Sequence, residues 1–68
     1  MFVIDTRGMS CPQPVLMTKK AVAAQPSELV VLVDTQVAKA NVQRFLKSKS
    51  YSYKVQAMGD DFRIEVRT

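Results

Sequence analysis

The sequence predicts an α+β fold with element order βαβαββ: a four-stranded mixed sheet with two helices on one face, a two-layer α/β sandwich spanning residues 1–68 as a single domain. Three observations carry this expectation. Two short apolar, β-branched runs, Phe2–Thr6 and Leu29–Val33, each precede a stretch with helical spacing. The C-terminal residues alternate, with Phe62, Ile64 and Val66 set against Arg63, Glu65 and Arg67, as in a strand with one buried face. Almost half of the 68 residues are apolar, enough for a modest core.

Each element follows from its boundaries. Phe2–Thr6 reads as a strand that Gly8 ends. Pro12 and Pro14 cannot occupy a helix interior, because each lacks an N–H and clashes with the preceding turn. They fit a first turn, whose N–H groups have no intrahelical partner, so they predict a helix from about Pro12 to Gln25. Val15, Leu16, Val22 and Ala23 would form its apolar stripe, and Pro26 stops it. Leu29–Val33 is a continuous apolar run that reads as an internal strand parallel to the first, joined to it through the helix. Asp34 and Thr35 are both good N-cap residues for a second helix over Gln36–Ser48, with Ala38, Val42, Phe45 and Leu46 inward. Ser52–Met58 and Phe62–Arg67 flank Gly59-Asp60-Asp61 as an antiparallel hairpin. With both helices on one face, alternate residues of Leu29–Val33 would be exposed on the other. This predicts a modest apolar patch for a partner, a second domain or a dimer.

Composition narrows the chemistry. There is one cysteine and no histidine, which excludes an internal disulfide and leaves no basis for a zinc site or a histidine base. No phosphate-binding glycine loop is present, so no cofactor is expected. The chain shows no signal-like or membrane-spanning run, and a cytoplasmic protein with a reduced thiol is the expectation. The net charge of +4 is spread without a dense basic block, so direct nucleic-acid binding is not expected.

Function, if chemical, therefore rests on Cys11. It could be a small buried residue. Its place at a proline-framed helix start favours reactivity instead: free N–H groups and the positive helix end both favour the thiolate. Around it, Gly8 suits a positive φ, Asp5 could brace the 7–11 loop through backbone N–H groups, and Arg7 is the nearest cation in sequence. Lys19, Lys20, Lys39, Arg44 and Lys47 form helix faces that are either solvated or used to dock a partner.

The stretch Asp5-Thr6-Arg7-Gly8-Met9-Ser10-Cys11-Pro12-Gln13-Pro14 resembles the signature of the TusA/SirA-like sulfur-carrier family, in which Cys-Pro-x-Pro opens the first helix. The resemblance covers essentially the whole chain. It implies sheet order 1-2-4-3 with the last strand antiparallel. It also implies a relay: a cysteine desulfurase or other donor loads Cys11 as a persulfide, which passes sulfane sulfur to an acceptor protein. The chain would be a carrier rather than a stand-alone turnover enzyme. One branch of the family serves tRNA thiolation; others feed molybdenum cofactor assembly or sulfur oxidation. Asp34, Ala38 and Asn41-Val42-Gln43-Arg44-Phe45-Leu46 also resemble the N-terminal domain of longer sulfurtransferase-like selenium-metabolism proteins. The alternatives are therefore selenium handling by the same thiol, in a stand-alone relative or a fragment of a longer protein, or a protein- or RNA-binding regulatory module with Cys11 structural.

Overall fold

A computed structural model of the chain describes residues 2–9 and 13–67. The expectations for Cys11 and Pro12 lie outside the described residues. The elements are β1 (Phe2–Asp5), α1 (Gln13–Ala23), β2 (Glu28–Val33), α2 (Gln36–Ser48), β3 (Ser52–Met58) and β4 (Asp61–Arg67). The sheet order is β1-β2-β4-β3. β1 runs parallel to β2, with Phe2 opposite Leu29 and Asp5 opposite Leu32. β4 is antiparallel to both neighbours, and Ile64 lies opposite Val31 on one side and Val55 on the other. The fold class, element order and strand order are those expected.

The core lies between sheet and helices. β2 supplies Leu29, Val31 and Val33; β4 supplies Ile64 and Val66; the helices add Ala21, Val22, Ala38, Val42 and Leu46. Alternation along the central strands sends these residues to one face. Each large aliphatic side chain buried there contributes about 1.5–3 kcal/mol relative to exposure.

Two expectations are corrected. The buried stripe of α1 is Pro14, Thr18, Ala21 and Val22, whereas Leu16 and Ala23 face outward. The cause is Thr18: its hydroxyl donates to the Pro14 carbonyl at 2.8 Å, which satisfies it inside the helix and lets a polar residue occupy the inner face. The apolar patch on the open sheet face is also missing in the form expected. Val30 is 4% exposed and Leu32 is half-buried. On that face Val30 sits between Val3 and Glu65, and Leu32 between Asp5 and Arg63. Long charged side chains cover apolar area with their stems. In keeping with this, Arg63 Nε is buried without a hydrogen-bond partner. Only Val3, at the sheet edge, remains openly exposed among these valines. A dimer or second domain seated on this face would find charged side chains rather than an apolar patch.

α2 is capped at both ends. Thr35 Oγ1 accepts the Ala38 N–H at 3.0 Å. At the other end Tyr51 N–H donates to the Leu46 carbonyl and Ser50 N–H to that of Lys47, both at 3.0 Å, with Ser50 at φ 61. This is a Schellman motif with a non-glycine residue in the left-handed position. Ser50→Gly is expected to raise stability by about 0.5–1 kcal/mol by removing the Cβ strain. Urea unfolding followed by circular dichroism would measure the gain.

Candidate functional site

The candidate site is built on the loop that leaves β1 and leads to Cys11. All four backbone N–H groups from Thr6 to Met9 are engaged. Thr6 N–H and Thr6 Oγ1–H both donate to the Leu32 carbonyl, at 3.0 and 2.6 Å. Arg7 N–H donates to Asp5 Oδ1 at 3.0 Å, Gly8 N–H to Asp34 Oδ2 at 2.7 Å, and Met9 N–H to the Thr6 carbonyl at 3.2 Å. The last bond closes a turn with Gly8 in third place at φ 81, the conformation of a type II turn. A Cβ on Gly8 would meet nothing within 4 Å, so glycine is needed there for its torsion angle and not for space.

Arg7 tightens the same loop. Its Nε and Nη2 grip Asp5 at 2.9 and 2.8 Å, a two-pronged contact, and its Nη1 reaches Asp61 at 3.3 Å. These groups are exposed, so the pairs add little to global stability. Their effect is directional: Arg7 ties the end of β1 to the start of β4. Its charge is already shared by two carboxylates, which leaves less of it to hold a thiolate or persulfide.

Hydrogen bonds from the Arg7 side chain, then from its backbone N–H, lower the Asp5 carboxyl from 3.8 to about 2. The same contacts raise the Arg7 guanidinium further above its ordinary value. A carboxyl depressed in the folded state stabilises above its unfolded pKa and loses that contribution as pH falls through the folded one. The Asp5 contacts should thus be intact above about pH 4 and lost near pH 2. An NMR titration of the Asp5 carboxyl should give a midpoint close to 2. Arg7→Leu should return it toward the ordinary value.

Asp34 is the residue that sequence reading missed in this role. It stands at the carboxyl end of β2 beside Thr35, and both suit an N-cap. Only Thr35 caps α2; Asp34 turns back to hold Gly8. The available signal was redundancy, since two adjacent capping residues leave one carboxylate for other work. Asp61 was read as a turn residue; it opens β4 and receives Arg7.

The remaining candidate docking cations are divided between α1 and α2. Lys19 and Lys20 border a shallow apolar groove on the outer face of α1, formed by Leu16, Met17 and Ala23 with Gln13 at its head. Arg44 and Lys47 are exposed on α2. Lys39 is half-buried, with Nζ 4.6 Å from the centre of the Phe62 ring, a cation–π contact that gives it a packing role. Pro14 is buried in the first turn of α1. Among the described residues, no cluster of His, Cys, Asp or Glu could hold a metal, and no helix is long and apolar enough to cross a membrane.

A family model described as sulfurtransferase TusA matches residues 2–68. A SirA-like protein from Desulfitobacterium hafniense, known from its crystal structure, has the same fold with a TM-score of 0.91. The two are 26% identical, and the match covers 100% of this chain and 97% of the other. No curated protein matches the chain.

Proposed function

We propose, from the premise that the chain belongs to the sulfurtransferase TusA family, that it relays sulfane sulfur as a persulfide on Cys11. A sulfurtransferase-type or carrier role follows from the family; the relay is our reading. The Cys11 thiolate attacks the outer sulfur of a donor persulfide. A new S–S bond forms to Cys11, the donor's S–S bond breaks, and its electron pair leaves on the donor thiolate. An acceptor thiolate then attacks the outer sulfur on Cys11 in the same way. No resident cofactor is needed. A cysteine desulfurase is a donor of the right chemistry.

The observation that supports this reading best is the fully bonded loop from Thr6 to Met9. A loop whose described N–H groups are all engaged is preorganised, so little ordering is required when a partner presents its sulfur. The groove between Lys19 and Lys20 suits an apolar partner surface with an acidic rim, while Arg44 and Lys47 are further docking candidates. The test is intact-mass spectrometry after incubation with a cysteine desulfurase and cysteine. A gain of about 32 Da, reversed by a reductant, supports the relay. No gain under conditions that load an established carrier would refute it.

A further inference from the structure

β3 is an edge strand of seven residues, Ser52–Met58, that pairs with β4 alone. It contains no proline and no bulge, and its register with β4 is continuous from Ser52 opposite Arg67 to Met58 opposite Asp61. The devices that usually blunt an edge are therefore few: a single charge, Lys54, stands on this strand.

The hairpin settles which backbone groups face outward. Gly59 and Asp60 form a two-residue turn, with Gly59 at φ 62, closed by the Met58–Asp61 pair. In such a hairpin the closing pair exchanges both hydrogen bonds, and bonded pairs recur at every second residue. Met58, Gln56, Lys54 and Ser52 thus bond to β4. The N–H and C=O groups of Tyr53, Val55 and Ala57 point away from the sheet. The side chains of these three residues lie on the helix face, and Tyr53 and Val55 are only half-buried.

We propose that this edge binds a second copy of the chain, antiparallel, about a two-fold axis at Val55. Val55 is the midpoint both of the strand and of its outward-facing groups. A two-fold axis there pairs Val55 with itself, Tyr53 with Ala57 of the second copy, and Lys54 with Gln56 of the second copy. Each outward N–H and C=O then finds a partner, giving six hydrogen bonds from three bonded pairs. The helix-side face gains an apolar row of Tyr53, Val55 and Ala57. No charge directly opposes a like charge, and each Lys54 has Glu65 of its own chain across the ladder. The contact is isologous, so it closes as a dimer with one continuous eight-stranded sheet. Its small area makes it a weak association, populated at high concentration.

The test is amide hydrogen exchange on the intact chain at about 10 µM and about 1 mM, a span chosen for a small interface. The amides of Tyr53, Val55 and Ala57 should slow by about tenfold or more at the higher concentration, while those of Lys54, Gln56 and Met58 stay unchanged. In parallel, the mass measured by light scattering should rise from 7.6 kDa toward twice that value. Ala57→Pro removes one outward N–H at an exposed position and should hold the chain at the monomer mass. If that variant perturbs the fold, the exchange pattern of the native chain decides alone. A constant monomer mass overturns the proposal, and so does concentration-dependent protection located anywhere other than β3.

Discussion

Cys11→Ser should abolish sulfur loading and leave the fold intact. A serine hydroxyl cannot form a persulfide, and it is not appreciably ionised at neutral pH. The sequence holds no second cysteine and no histidine that could take over. The expected result is complete loss of the mass gain of about 32 Da that loading gives the native chain. The circular dichroism spectrum should not change. Any loading that survives in Cys11→Ser would place the sulfur on another atom and overturn the assignment. The converse control is an alkylated native chain, which should be as inert as the variant.

Leu46→Ala should produce the largest loss of stability. Leu46 is fully buried, on the inner face of α2 among the core residues. Its carbonyl also accepts the Tyr51 N–H that ends the helix, and Tyr51 packs against the same core. Truncating a buried leucine costs about 2–5 kcal/mol, the transfer term plus the cavity left behind. A core of this size rarely supplies more than about 3–5 kcal/mol of net stability. The variant should therefore be substantially unfolded at 37 °C, with its thermal midpoint lowered by at least about 10 °C. Val37→Ala, at a position 64% exposed on the same helix, should change stability by less than about 0.5 kcal/mol. A shift of similar size in both variants would mean that the core assignment is wrong.

The fold was legible because its signals were local. Proline and glycine mark the ends of elements, and the Phe62–Arg67 alternation can be read within six residues. The α2 bounds Gln36–Ser48 follow from caps adjacent in sequence. What could not be read depends on partners distant in the chain. Asp34 reaches Gly8 across 26 residues and Arg7 reaches Asp61 across 54, and neither contact leaves a pattern in the intervening residues. The α1 stripe was misread because a threonine hydroxyl can be satisfied inside its own helix. The missing apolar patch has a similar origin. Whether a sheet face is bare depends on where long side chains lie, and their conformations are not encoded in spacing.

The position of the acidic residues has a further consequence. Asp5, Asp34, Asp60 and Asp61, four of the six acids, stand at the end of the sheet where β1 and β2 finish and the loop toward Cys11 begins. Arg7, Lys39 and Arg63 stand at that end as well, while Lys20, Lys47, Lys49, Lys54 and Arg67, with Glu28, lie toward the opposite one. In a chain with a net charge of +4 the charges are thus separated along the sheet axis, with the negative pole at the end where β1 and β2 finish. In the field of a charged macromolecule such a dipole experiences a torque before contact. A surface of positive potential turns the end where β1 and β2 finish toward itself; one of negative potential turns the lysine-bearing end of the helices toward itself. The orientation of the first encounter is therefore set by the sign of the approaching surface, and screening by salt within a Debye length weakens that bias.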